Sequence, residues 1–429
     1  MKIRQFSFAV LIAFTAFSTV LFAQQYDVLD QVRADARKSW AMEGPHRMDE
    51  FGPLTKAPCG YKPFYISHYG RHGSRYAWSA KTYTIIHEVL SKAAETGSLT
   101  PFGQSLYQRY EAFYLEPWIN TGDLVPLGFE QHQQIGDYVA RSFPKVFRGA
   151  REVSAISSTA QRSIVSMGAF TLGLKGQNPR LKISQASDHK GMTVAAPPSA
   201  PKALIRHFAG EENKPALESV DSFFARNFDV QAVLDRLFSD QAFLNEYDGG
   251  VRFLKELWQL VCGYHNYRTE PLFEDIFTPE EMVSMWECDN YSSFYGDVGA
   301  RYSEIPLLED IVGKAEYAFS HPERAADLRF GHDYILEALS CLLNINGCGT
   351  IPDTPEEVKY WFQSYNIPMA ATLLFVFYRN GRGDILFKLL LNEREVALAD
   401  LTPVKGPYYR WTDFKAWYET LRAAHPEIL

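Results

Sequence analysis

The chain has 429 residues, 46% hydrophobic and 22% charged, with a formal net charge of -8. That length allows two or three domains, or one large domain with an insertion, and a core that needs neither disulfides nor metals for stability. The acidic balance argues against nucleic acid as a partner, and ordinary glycine and proline numbers (28 and 23) without low-complexity tracts exclude collagen-like or largely disordered chains.

Residues 1–23 read as a secretory signal peptide. Lys2 and Arg4 precede an uncharged apolar run from Phe6 to Phe22, and Ala23 is a small residue suited to cleavage before Gln24. The run is at the short end for a spanning helix, and no later apolar stretch approaches that length. A periplasmic or secreted protein is expected, with no membrane insertion once the signal is removed. An oxidising compartment would permit one or two disulfides among Cys59, Cys262, Cys288, Cys341 and Cys348. Cys341 and Cys348 are close enough in sequence to bridge across a turn at Asn344–Gly347. With no CxxC pair, a zinc site is not expected.

After a helix around residues 26–40 comes YKPFYISHYGRHGSRY, read as a short buried strand at 64–66 with a sharp loop marked by Gly70 and Gly73. Apolar positions at helical spacing predict helices over 79–95 and 128–143. Strand-then-helix grammar recurs twice. Residues 152–157 form a strand, Ser157–Thr159 offer helix caps, and 161–172 form a helix. Later, 327–330 form a strand, Gly331 makes the turn, and 332–344 form a helix. MAATLLFVFYRNGRGDILFKLLLNE reads as a hairpin turning around Asn380–Gly383. Strands interleaved with helices imply a three-layer α/β domain with a mixed central sheet. The middle is aromatic and acidic with few β-branched runs, and 216–240 and 250–265 look helical. The expected organisation is therefore an α/β domain split into 24–174 and 311–429, with a mostly helical cap inserted at 175–310.

Three strand ends carry unusual polar cargo: Arg71, His72 and Arg75 after the first, Arg162 after the second, His332 and Asp333 after the third. Taken singly, each has a bland reading: His72 as a loop or core histidine, Arg162 as a surface charge, His332–Asp333 as a helix cap. His68 and His72 at i, i+4 mimic a zinc pair on a helix, but Gly70 and Gly73 speak against that helix. The joint pattern overrides these readings. In open α/β sheets the carboxyl ends of strands line one crevice, and helix N-termini there favour anions. Three arginines and two histidines in that crevice describe a phosphate site. A neutral imidazole can attack phosphorus and carry the phosphoryl group, and Asp333 could protonate the departing alcohol. Such chemistry calls for no metal and no cofactor. No GxSxG elbow occurs, which disfavours a serine hydrolase.

RHGSR (71–75) followed far downstream by HD (332–333) resembles the histidine acid phosphatases, branch two of the histidine phosphatase superfamily. DLVPLGFEQHQQIG (123–136) is similar to the family's Leu-Thr-x-x-Gly-x-x-Gln segment, with Val125 where Thr is usual. SSTAQRSIVSM (157–167) is similar to the segment bearing its later phosphate-binding arginine. The resemblance implies His72 as nucleophile, Asp333 as general acid, and Arg71, Arg75, Arg162 and His332 as phosphate ligands. It further implies a small-molecule phosphate ester as substrate. The overall look is nearest to the multiple inositol polyphosphate phosphatase and phytase-like members. Two departures are Ala77, where Pro is frequent, and His332–Asp333–Tyr334 in place of that inositol group's His-Ala-Glu. Alternatives are a broad acid phosphatase, a sugar phosphatase, and a non-catalytic phosphate binder. A highly phosphorylated substrate would want further cations, for which Lys81, Arg141 and Arg206 are candidates.

Overall fold

The computed structural model describes residues 28–48, 51–188, 191–196, 217–426 and 428; the expected signal peptide and Arg206 lie outside them. One mixed sheet holds β1 (Lys62–Arg71), β2 (Glu152–Ser157), β3 (Lys182–Ala186), β4 (Arg324–Gly331), β5 (Thr372–Arg379), β6 (Ile385–Leu391), β7 (Arg394–Val396) and β8 (Tyr409–Arg410). The order is β3-β2-β4-β1-β5-β6-β7, with β8 also paired to β6. Strands β3, β2, β4 and β1 are mutually parallel, and every pairing from β1–β5 onward is antiparallel.

The helices are α1 (Val28–Ala34), α2 (Ala80–Glu95), α3 (Pro101–Ile119), α4 (Pro126–Ser142), α5 (Gln161–Gln177), α6 (Val220–Asn227), α7 (Val230–Leu237), α8 (Val251–Gly263), α9 (Pro279–Ala300), α10 (Ile305–Ser320), α11 (Asp333–Leu342) and α12 (Trp411–Ala424), besides shorter turns. The period-2 alternation of β1 and β5 assigns the two sheet faces. Tyr65, Tyr69, Phe375 and Phe377 pack under α10, α11 and α12 through Leu308, Ile311, Leu336, Leu339 and Phe414. Ile66, Leu374 and Val376 face the other way, onto Ile135 and Val139 of α4 and Phe170 and Leu174 of α5. The expected three-layer α/β architecture with a mixed sheet is what the chain forms.

A separate helical layer gathers Val32, Ile86, Leu106, Tyr110, Phe223, Leu234, Leu257, Trp286 and Phe294 around one apolar core. This changes the expected boundaries in two ways. β3 falls inside the range assigned to the cap, yet it is the edge strand of the sheet. α2 and α3, from the first part of the chain, belong to the helical layer. α3 had no counterpart in the sequence reading, although Thr100 caps it by accepting from the Gly103 N–H and Pro101 opens it. α3 lies so close to α7 that a Cβ on Gly103 would stand 2.1 Å from the Leu237 carbonyl oxygen.

Other corrections are local. The helix expected over 26–40 ends at Ala34, and a 3-10 segment (Ala36–Glu43) follows, broken by Ala41 at φ +50°. Ser157–Thr159 do not cap α5; its N-cap is Ala160, without a side-chain bond. The five cysteines are free thiols, and Cys341 Sγ sits 3.6 Å from the Cys348 carbonyl oxygen across the expected turn. No described helix is long and apolar enough to cross a membrane.

Candidate active site

Parallel register brings three strand ends together. Arg71 pairs with Gly331, and Ser157 with Phe330, so β1, β2 and β4 finish on one edge of the sheet. The His72 N–H donates to the Gly331 carbonyl (3.0 Å), and the Ser158 N–H to Phe330 (2.9 Å), carrying the ladder one residue further. α5 and α11 then start from this edge, with Arg162 and Asp333 in their first turns.

The loop after β1 is held by close backbone contact. A Cβ on Gly73 would fall 2.4 Å from the Gly128 carbonyl oxygen, and one on Gly128 would fall 2.3 Å from that of Ser74. Glycine at both positions lets the N-terminus of α4 rest against the loop. Side chains fix the remaining groups. The Gly73 N–H donates to Ser166 Oγ (2.9 Å), and the Ser74 N–H to Gln131 Oε1 (3.0 Å). His132 Nε2 donates to the Arg71 carbonyl (2.9 Å). Ser74 Oγ donates to Asn266 Oδ1 (2.7 Å), and Asn266 Nδ2 donates to the Glu43 carbonyl (2.7 Å).

His72 is 1% exposed. Its Nδ1 bonds the Gly73 carbonyl at 3.0 Å. A carbonyl only accepts, so Nδ1 carries the hydrogen and Nε2 keeps the lone pair in the neutral ring. Burial pushes the imidazole well below its usual range, and Arg75, Arg71 and Arg162 push it the same way. The His332 ring lies edge-on to it, centroids 5.6 Å apart. His332 is itself lowered to about 4 by burial and Arg162; its backbone N–H donates to Tyr69 Oη (3.2 Å).

Arg71 is fully buried. Its Nη1 donates to the carbonyls of Met42 (2.6 Å) and Ile367 (2.8 Å), and Nη2 stands 2.6 Å from Asp333 Oδ2. Arg75 is clamped by both oxygens of Glu43 at 3.3–3.4 Å. Arg162 is half-buried, with Nη1 3.5 Å from the Gly122 carbonyl. Burial would raise the Asp333 carboxyl, but Arg71 and Arg75 outweigh it and take it down to about 2. The result is a crevice with three guanidinium groups, two neutral imidazoles, two helix N-termini and one imidazole lone pair: an anion site equipped with a nucleophile.

All six residues singled out in the sequence thus meet at one sheet edge. Arg141 does not join them. It lies about 20 Å along α4 from Gly128 and is paired with Asp137. Lys81 is exposed in the first turn of α2. Sequence reasoning missed Glu43 and Asn266, which reach the site from segments with no motif, and Ser166, which lies in the stretch 157–167 without having been assigned. It quoted the stretch holding Gln131 and His132 without assigning them; two polar residues on the buried face of a predicted helix were the available signal. Among the described residues no group of three or more His, Cys, Asp or Glu side chains is arranged to hold a metal ion.

Comparison with known proteins gives this geometry its setting. The family model of the histidine phosphatase superfamily (branch 2) matches residues 70–392. Multiple inositol polyphosphate phosphatase 1 of Gallus gallus is 22% identical over 415 residues, spanning 88% of this chain and 86% of that protein. In fold, the chain is similar to the multiple inositol polyphosphate phosphatase of Bifidobacterium longum solved with inositol hexasulfate (TM-score 0.70, 17% identity, 89% of this chain and 97% of the other). It is similar also to the phytase of D. castellii (TM-score 0.63, 16% identity, 90% and 85%). The matched region holds all six residues of the crevice, from Arg71 to Asp333, and the chain belongs to branch 2 of the histidine phosphatase superfamily, as a phosphoric monoester hydrolase.

Proposed function

We propose that this chain is an exported phosphatase that hydrolyses small-molecule phosphate monoesters, inositol polyphosphates among them, through a phosphohistidine on His72. The observation that carries the reading is the neutral His72 ring, with Nδ1 tied to the Gly73 carbonyl and Nε2 left as the lone-pair nitrogen among Arg71, Arg75 and Arg162. The arginines and His332 bind the phosphoryl oxygens and neutralise the charge that spreads over them in the transition state. A bond forms between Nε2 and phosphorus as the bond to the ester oxygen breaks; Asp333 gives its proton to the departing alcohol. Water then attacks the phosphohistidine, with Asp333 taking the proton back.

Without substrate, Asp333 is kept ionised by Arg71 and Arg75. A phosphate dianion draws Arg71 to itself and places negative charge beside the carboxylate, and both effects raise the Asp333 pKa. The substrate's own charge thus arms the acid.

The inositol polyphosphate class is supported by the Gallus gallus relative's activity. Broad phosphomonoesterase activity is the second reading, favoured by the position of Arg141 away from the crevice. Phosphate release by the purified protein, with chelator present, separates the two: inositol hexakisphosphate preferred over a sugar phosphate and an aryl phosphate, or all three hydrolysed alike. His72→Ala should abolish turnover and the acid-labile phosphoprotein trapped by rapid quenching. Near-normal turnover in that variant would falsify the mechanism. Export is checked by the mature N-terminus, expected at Gln24.

A further inference from the structure

The three arginines account for the phosphoryl group but not for the carbon skeleton of the departing alcohol. Nε2 of His72 attacks phosphorus from one side, and in an in-line displacement the ester oxygen leaves on the other. Asp333 protonates that oxygen, so the skeleton lies beside Asp333, outside the guanidinium groups. Tyr334 stands there. Its backbone N–H donates to Asp333 Oδ1 (2.9 Å), while Oδ2 faces Arg71 (2.6 Å). Its ring is parallel to that of His332, inclined by 7° with centroids 5.6 Å apart, and the His332 ring is edge-on to His72. The three rings form a row that leads outward, from buried His72 through half-buried His332 to Tyr334, which is 48% exposed. A tyrosine in the first turn of α11 with half its surface in water adds little to the core.

We propose that Tyr334 determines specificity on the leaving-group side: its ring is a shelf for the uncharged flat face of the alcohol, aromatic or C–H, next to the scissile bond. The inference rests on the crevice being a phosphate site with Asp333 as its acid. The face of an aromatic ring carries the negative part of its quadrupole, and the edge the positive part. It therefore attracts C–H groups and other rings, whereas a further phosphate held over that face is repelled. A cation in the same place would do the opposite and select a polyanionic leaving group. Tyr334 thus favours esters whose skeleton carries a flat uncharged face beside the reacting phosphate. It contributes nothing to the hold on the phosphoryl group itself, which belongs to Arg71, Arg75, Arg162 and His332.

Benzyl phosphate and ethyl phosphate are the suitable pair of probes. Both release a primary alcohol that needs Asp333's proton, and only one of them has a ring to lay on the shelf. The wild type should prefer benzyl phosphate in kcat/KM. Tyr334→Ala should lower kcat/KM for benzyl phosphate about fivefold, the size of one aromatic contact, and change ethyl phosphate by less than about twofold. Tyr334→Phe keeps the ring and should keep the preference. Competitive inhibition by inorganic phosphate, which reaches only the inner groups, should stay within about twofold of wild type in both variants. Tyr334→Gln also removes the ring and stands in for Tyr334→Ala if that variant folds poorly. A benzyl-to-ethyl ratio unchanged by losing the ring overturns the proposal, as does an equal loss on both esters. A wild type that hydrolyses neither ester and is not occupied by phosphate would instead overturn the phosphatase reading beneath it.

Discussion

In the parallel half of the sheet, β1, β2 and β4 run in one direction, so Arg71, Ser157 and Gly331 end side by side and the residues that follow enter one crevice. In the antiparallel half, β5 and β6 run oppositely, and neighbouring strands bring opposite ends to any one edge. The first half therefore collects chemistry, and the second half cannot. What β5 and the segment before it supply is support: Ala371 accepts from the Arg71 N–H (2.8 Å), Ala370 donates to the His72 carbonyl (2.9 Å), and the Ile367 carbonyl holds Arg71 Nη1. Behind that edge the same half is packed with Leu373, Phe375, Phe377, Phe387 and Leu389. Strand direction, more than residue composition, separates the half that reacts from the half that holds.

The sharpest way to break this division is to disturb the reacting half without touching a charged group. Gly128→Ala places a Cβ 2.3 Å from the Ser74 carbonyl oxygen and must displace the loop bearing His72 and Arg75. A shift of about 1 Å in catalytic groups lowers kcat by about a hundredfold or more, and that is the loss expected. A melting temperature close to wild type together with normal kcat would show that the close approach of Gly73 and Gly128 does not set the geometry.

Asp333→Asn comes next. It should slow alkyl phosphates about a hundredfold, and aryl phosphates, whose leaving groups need no proton, far less. An equal loss on both would assign Asp333 to binding alone. The pH profile carries a second check. Burial and three arginines keep His72 unprotonated well below its usual range, so kcat/KM should not decline as pH falls through about 6.5. kcat should decline on the alkaline side, where Asp333 in the substrate complex loses the proton it must donate, and Asp333→Asn should lose that limb. An acid limb centred near 6.5 would contradict the buried, neutral His72.

The elements and residues legible in the sequence are those with a local signal. β2 reads end to end, and α2 from its apolar spacing. The sequence marks β1 only over 64–66, because Ser67 and His68 look like a polar stop, but the strand runs from Lys62 to Arg71. Both are buried instead, His68 between the rings of Phe170 and Phe330, each 4.8 Å away. A strand flanked on both sides and covered on both faces need not alternate, and nothing in its own residues announces the cover. The same holds for the site. Arg71, His72, Arg75, Arg162, His332 and Asp333 each sit at a strand end or helix start, where the turn marks them. Glu43 and Asn266 arrive from helical segments far along the chain, and their contacts with Arg75 and Ser74 exist only after folding. The boundary expected at residue 174 failed for a related reason: β3 is a short edge strand with little apolar content, and its pairing with β2 supplies what its sequence lacks.

The smallest expected effect on turnover comes from the supporting half. Phe375 is 1% exposed and touches the rings of Phe377, Phe387 and Phe414. Phe375→Ala removes a large buried ring from a packed layer, and such truncations lower stability by about 3–5 kcal/mol. The register that holds Arg71 and His72 runs through backbone groups of 370 and 371 and through β1, which the truncation leaves intact. Denaturant unfolding should therefore show the stability loss, while kcat for the folded fraction, measured well below the melting temperature, stays within about twofold of wild type. A large fall in kcat at full folding would mean that the crevice depends on core packing as well as on strand ends. The antiparallel half would then be tuning the reaction and not only bracing it.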